Sequence, residues 1–227
     1  MKIYSNFDVI FKFFKKSMQN SEMTRKERRY ARHREEILEA ALHLFAENGF
    51  HHVTMQQIAQ AAEFSVGKLY TFFANKEDLY QALIREKADE LHNEILGVFN
   101  QDADELTLLQ QAHAKKFDLF LKNSAIIRLY LSETTTAGFS LRASLTQEIR
   151  AQYDGLLQIA GRLFAGGMSK GIFVDGDPYL YAVALDGMTN ALVMAALEDP
   201  DRQPEDLQAT YRRFFNGILI KKGESDG

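Results

Sequence analysis

The stretch VTMQQIAQAAEFSVGKLYTFFANKEDL, residues 53–79, holds three helix starts in quick succession. Thr54 can cap the first. Gln57, three positions on, completes a capping box, with Val53 and Ile58 as the flanking hydrophobic pair. Ser65 can cap the second start, flanked in the same way by Phe64 and Leu69. Asn75 can cap the third, and Glu77 and Asp78 then fall in the first turn, where the helix dipole favours acids. Three capped starts so close together fix short helices joined by tight turns, which is the pattern of a helix-turn-helix.

The faces of these helices separate core from surface. Ile58, Ala59 and Ala62 lie inward, and the alanines are small enough for close helix contact. Phe64, Leu69 and Phe73 join Ile37, Ala41, Leu44 and Phe45 of a preceding helix to make a compact core. Val66, Gly67, Lys68, Tyr70 and Thr71 are left outward, where they would face a major groove if this is a recognition helix. Lys68 can donate to guanine O6/N7 or to a phosphate, and the Val66 methyls can meet a thymine methyl. Gly67, lacking a Cβ, lets the helix N-terminus come close to DNA. The hydroxyls of Thr54, Ser65 and Tyr70 suit phosphate, as do the N–H groups of the helix N-termini and Lys76. Phe72 is assigned to packing. A phosphate-binding P-loop does not fit, because Gly67-Lys68 is followed by Leu69 and the earlier glycine position holds Ala62.

Outward from this stretch, the apolar spacing is helical nearly throughout, with helices expected at about 28–48, 55–62, 66–73, 76–100, 104–122, 124–137, 141–170, 178–197 and 204–220. The sequence therefore predicts an all-α chain of about nine helices: a small N-terminal three-helix unit and a larger helical bundle. The only prolines are at 178, 200 and 204, and no hairpin turn separates alternating runs. Residues 1–22 place Ile3, Phe7, Ile10, Phe11, Phe14 and Met18 at helical spacing among lysines. They form either an amphipathic helix or an extension upstream of a start at Met18 or Met23.

The net charge is −4, unevenly distributed. Residues 1–34 hold ten basic against three acidic residues, +7; the remaining 17 basic and 28 acidic residues carry −11. A basic N-terminal end on an acidic body suits a polyanionic partner. There is no cysteine, which removes disulfides, thiolate metal sites and a cysteine nucleophile. No run of about 18 apolar residues is seen, which argues against a membrane span, and a cytoplasmic location is expected. His51-His52 are neighbours that cannot converge on one helix face, there is no HExxH, and His113 is isolated. Neither a metal site nor a catalytic constellation is predicted, nor any cofactor.

The run ILEAALHLFAENGFHHVTMQQIAQAAEFSVGKLYTFFANKEDLYQALI, residues 37–84, resembles the N-terminal DNA-binding domain of the TetR family of transcriptional regulators. The likeness is carried by LFAENGF, VTMQQIAQAA, SVGKLYTFF and NKEDL in order. It implies an all-helical homodimer that binds a palindromic operator, usually as a repressor released by a small molecule. By position, Thr54, Ser65, Gly67, Lys68, Tyr70, Thr71 and Lys76 match the family's DNA contacts. Glu63 stands where the family's turn usually has glycine, a residue that would cost about 1 kcal/mol if its φ is positive. Thr71 replaces a frequent histidine.

The resemblance divides the chain into an N-terminal extension (1–24), a DNA-binding domain (25–80) and a ligand-binding and dimerisation domain (81–227). The basic segment RKERRYARHR, residues 25–34, is then expected as an arm before the first helix, with Arg25, Lys26, Arg28 and Arg29 on phosphate or in the minor groove. The helices at about 178–197 and 204–220 are expected to form the homodimer interface, with Leu207, Tyr211, Phe214, Phe215 and Ile218 on one stripe. Candidate effector-binding residues are Phe117, Phe120, Tyr130, Thr134, Phe139, Arg142, Arg150, Tyr153 and Asn190. An arginine in the pocket would imply an anionic effector. A protein partner in place of the small molecule is the alternative for the larger domain, and an enzyme is a more distant one.

Overall fold

The protein is described by a computed structural model covering residues 24–134, 146–199 and 201–220. Residues 1–22, expected as an amphipathic helix or an upstream extension, and the segment 135–145 lie outside the described residues. The chain divides into two compact units between Leu79 and Tyr80. Among the described residues it is all-α, with one isolated antiparallel bridge between Phe173 and Ile220.

The first unit begins with α1 (Arg25–Asn48), and its start corrects the sequence expectation. Residues 25–34 are not an arm ahead of the helix but its first turns. Thr24 and Glu27 form a capping box: the Thr24 N–H donates to Glu27 Oε2 at 2.7 Å and the Glu27 N–H to Thr24 Oγ1 at 3.2 Å. These bonds hold the Glu27 carboxyl below the ordinary carboxylate range. Once the orphan donors are satisfied, nothing in the basic run stops it from being helical. Ile37, Leu38, Ala41 and Phe45 bury one stripe, and Gly49 ends the helix at φ 78, a conformation that glycine adopts without strain.

α2 (Met55–Ala61) is capped by Thr54 and Gln57, and α3 (Val66–Leu69) by Ser65, whose hydroxyl accepts from the Lys68 N–H at 3.2 Å. The helix expected over 66–73 is α-helical only to Leu69. Beyond it the Thr71 N–H and hydroxyl both bond the Lys68 carbonyl, at 3.0 and 2.7 Å, and tighten the chain into turns. Glu63, between α2 and α3, has φ 59, the left-handed strain that its place in the turn suggested. Ile58, Ala59, Leu69 and Phe73 are buried; Phe64 and Val66 are half-buried. Asn75 caps α4 (Lys76–Phe99): it accepts from the Asp78 N–H at 2.7 Å while Asp78 accepts from the Ala74 N–H at 2.8 Å.

The second unit holds the rest of α4, then α5 (Glu105–Lys122), α6 (Ser124–Thr134), α7 (Gln147–Ser169), α8 (Pro178–Glu198) and α9 (Pro204–Phe214). α9 runs on into a π-helical turn, Phe215–Leu219, which ends the helix expected to reach 220. Asp104, Thr146 and Asp177 cap α5, α7 and α8 with their side chains. α8 packs on α7, α5 and α9, and a core of Leu109, Leu157, Phe164, Phe173, Leu185, Tyr211 and Phe215 fills the space between them. Leu207, Tyr211 and Phe215 are therefore core of the protomer rather than dimer surface, because α9 turns that stripe onto α5 and α8; Phe214, 53% exposed, is not.

Among the described residues, α8 alone is long and apolar enough to cross a membrane by length and composition, which the count of apolar runs had missed. It packs on three helices along one side and leaves an apolar face outward on the other, and Asp186, Thr189 and Asn190 interrupt it.

One glycine of α7 is required by packing. A Cβ on Gly167 would stand 2.3 Å from the Phe173 ring, which is itself fully buried beside Phe164 and Phe215. Gly167→Ala is expected to lower stability by about 1–3 kcal/mol through overpacking. Urea titration followed by circular dichroism should show a lower midpoint with an unchanged slope.

Candidate nucleic-acid interface and ligand cavity

On the first unit, α3 and the turn after it present Gly67, Lys68, Tyr70 and Thr71 to solvent, Tyr70 at 50% exposure. Val66, expected outward with them, is half-buried instead. Nothing lies within 4 Å of where a Cβ on Gly67 would be, so the fold itself does not require the glycine. What the missing side chain gives is close access from outside. Thr54 and Ser65 flank this surface with their hydroxyls engaged as caps; the Thr54 hydroxyl also donates to Gln57 Oε1 at 2.9 Å, whereas the Ser65 hydroxyl accepts from the Lys68 N–H and keeps its hydrogen to donate. Arg25, Lys26, Arg28 and Arg29 are all exposed on the first turns of α1.

Phe72 is half-buried in a cluster that the sequence did not reveal. Tyr30 stacks on it at 4.6 Å between ring centroids, and His33 meets both Phe64, at 5.0 Å, and Phe72, at 6.5 Å. The Lys68 ammonium lies 5.2 Å above the same ring. The available signal was Tyr30 and His33 three positions apart, the spacing of neighbours on one helix face. This cluster ties the basic start of α1 to the outward face of α3.

The structure gives Lys76 a different job from a phosphate contact. Its ammonium donates to the carbonyls of Phe50 at 2.8 Å, Val53 at 2.9 Å and His51 at 3.4 Å, and lies 4.4 Å from the centre of the Phe50 ring. All three of its donors are spent closing the loop between α1 and α2.

The second unit holds a partly open cavity of about 200 Å³. Its walls are mostly aliphatic and come from α4, α5, α6, α7 and α8. At one place the lining is polar. Lys116 and Asp186, both largely buried, form an ion pair, and Asp186 also accepts from the Tyr153 hydroxyl and, at 3.0 Å, from the Asn190 amide. Beside them His113 Nδ1 meets Thr189 Oγ1 at 2.8 Å, and the His113 ring stacks on Tyr211. Burial, then the nearby Lys116 and Arg212 charges, push the His113 pKa down to about 3. Burial raises that of Tyr211.

Of the residues expected to bind an effector, Phe120 and Tyr153 line this cavity. Phe117 is fully buried in the adjoining core with Val193 and Leu197, and Asn190 reaches the site only through Asp186. Arg150 is exposed and off the lining, so no described arginine supports an anionic effector. Phe139 and Arg142, and the side chains of Tyr130 and Thr134, lie outside what the structure describes. Lys116, Asp186, His113 and Thr189 were not singled out as pocket residues. The legible signal was Asp186, Thr189 and Asn190 inside the otherwise apolar YAVALDGMTNAL of α8. Among the described residues no group of His, Asp and Glu is placed to hold a metal ion.

Residues 37–83 match the family model described as bacterial regulatory proteins, tetR family. The chain is 26% identical over 141 residues to a fatty acid metabolism regulator protein of Bacillus subtilis, spanning 62% of this chain and 71% of that one. It is 30% identical over 142 residues to the transcriptional regulator RutR of Escherichia coli, spanning 63% of this chain and 65% of the relative. In fold it is similar to a transcriptional regulator from Saccharomonospora viridis solved in complex with choline, with a TM-score of 0.70, 20% identity, and 85% and 100% of the two chains covered.

Lys76→Met keeps the apolar stem and removes the ammonium, leaving the carbonyls of residues 50, 51 and 53 without their donor. Thermal or urea unfolding is expected to show a loss of about 2–3 kcal/mol. A lysine whose head faced only solvent would leave the transition where it was.

Proposed function

We propose that this chain, which its residues 37–83 make a member of the TetR family of transcriptional regulators, binds a palindromic DNA operator as a homodimer in the cytoplasm and is released from it by a small molecule. The observation that carries the proposal is the exposed surface of Gly67, Lys68, Tyr70 and Thr71 on a short helix fixed at its start by a side-chain cap. Lys68 reads a base edge or a phosphate, Tyr70 and Ser65 hold phosphates through their hydroxyls, Thr54 does so once its hydroxyl turns from Gln57 Oε1 to the DNA, and Gly67 lets the helix approach the groove floor. Val66 offers what remains exposed of its methyls. Arg25, Lys26, Arg28 and Arg29 neutralise phosphates from a helix, which places them at fixed spacing rather than on a mobile arm.

Dimerisation is supported by α8, whose outer face is apolar along its length: Leu180 is 59% exposed, Val183 39%, and Ala184, Gly187 and Ala191 continue the stripe. An exposed stripe of that kind, with Phe214 at the end of α9, is what a second copy would cover. Two recognition helices would then enter successive major grooves roughly 34–36 Å apart. The concave, mostly apolar cavity between the helices supports a small-molecule effector over a protein partner for the second unit. Binding there would favour a dimer that no longer matches its operator, and by linkage the operator would weaken the effector equally.

Fluorescence anisotropy with operator duplex tests the assignment. Lys68→Ala is expected to cost about 1–3 kcal/mol of binding, Tyr70→Phe less, with the dimer intact by sedimentation. Wild-type affinity in both variants would remove α3 as the recognition element. Replacing Arg28 and Arg29 together by alanine removes four charges from the dimer and is expected to flatten the slope of log K against log salt by about 3–4. An unaltered slope would take the start of α1 off the DNA.

A further inference from the structure

Three side chains that line the cavity keep a buried polar atom without a hydrogen bond: His113 at Nε2, Gln152 at Oε1 and His92 at Nδ1. The charged groups of the same lining are already paired. Lys116 is paired with Asp186, and Lys87 with Glu90 at 2.8 Å. Asp186 has two further donors, Tyr153 and Asn190.

The proton on His113 is placed by its neighbours. The Thr189 hydroxyl has one hydrogen, which it donates to the Leu185 carbonyl at 3.0 Å. Its oxygen must therefore receive the contact with His113 Nδ1 at 2.8 Å, so Nδ1 carries the ring proton. Burial and the positive charges of Lys116 and Arg212 keep the ring neutral. Nε2 is then a bare lone pair on a side chain only 6% exposed. Gln152 tells the same story, because its amide nitrogen donates to Asp89 Oδ1 at 2.7 Å and leaves the oxygen unused. The unmet demand of the lining at these two groups is for hydrogen-bond donors.

We propose that the cavity takes a neutral, mainly apolar molecule bearing a hydroxyl group, whose proton is received by His113 Nε2. The proposal rests on the effector reading of the cavity given above and names the chemical class. A carboxylate would set its charge beside Asp186 and the His113 lone pair. A quaternary ammonium would lose its water and find the one buried acid already satisfied. A ketone or ether would bring another acceptor and leave Nε2 unpaired, the kind of mismatch by which polar sites reject analogues.

Calorimetry of the full chain with four probes on one eight-carbon chain tests this: 1-octanol, methyl octyl ether, octanoate and octyltrimethylammonium. Octanol is expected to bind roughly tenfold more tightly than each of the others. His113→Phe keeps a ring against Tyr211 and removes the acceptor, so octanol and the ether should bind it equally. Thr189→Val, which frees the tautomer, should also shrink the preference, and serves where the first variant folds poorly by circular dichroism. Nitrogen spectra of histidine-labelled protein should show His113 in its Nδ1–H form. Preference for octanoate, the ammonium or the ether, or an Nε2–H tautomer, would overturn the hydroxyl class while leaving the effector reading in place. Failure of all four probes to bind would overturn both.

Discussion

Polar groups at helix ends must find partners, and in residues 49–79 the chain supplies nearly all of them itself. Thr54 with Gln57, Ser65, and Asn75 with Asp78 satisfy three sets of orphan N–H groups, while the Lys76 ammonium gathers three carbonyls of the loop between α1 and α2. A four-residue helix such as α3 would not survive alone, because nucleation costs more than so few bonds return. It exists because its start is capped and because Leu69 and Phe73 are buried beneath it. With stability supplied from below, the outer face is released from packing duty and can carry a glycine, a lysine and a half-exposed tyrosine. The strain at Glu63 is tolerated for the same reason: the turn is over-determined on both sides.

The second unit solves an opposite problem. Its cavity is lined mostly by aliphatic side chains, yet it contains a largely buried ion pair whose desolvation is costly unless every member is bonded. Asp186 meets that condition with three partners, one of them on its own helix and two from α5 and α7. The network thereby ties α5, α7 and α8 at one point of the lining. The acceptors left over, on His113 and Gln152, are what an apolar core would not contain, and they give the cavity a chemical preference as well as a shape.

Local chemistry made much of this legible in advance. The caps at Thr54, Ser65 and Asn75 are side-chain features of short sequence range, and the structure forms all three where the sequence put them. The start of α1 was misplaced because ten residues rich in arginine suggest an arm, while the Thr24–Glu27 box that makes them helical depends on one threonine just outside the run. Lys76 was assigned outward because its partners are carbonyls more than twenty positions earlier, which no periodicity encodes. The same limit applies to the cavity. Phe117 and Phe120 have the same composition and nearly the same spacing, and only the orientation of α5 decides that one is core and the other wall. The stripe on α9 was real, but which neighbour covers it is a tertiary fact.

The central claim is that two copies of this chain read one inverted repeat through paired α3 helices. Selection of random duplexes by the purified chain, followed by footprinting of the enriched sequence, tests it most directly. The account predicts an inverted repeat whose half-sites are centred about one helical turn apart, roughly 10–10.5 base pairs, protected on both. Enrichment of a single, non-repeated site, or no enrichment over non-specific duplex, would contradict it.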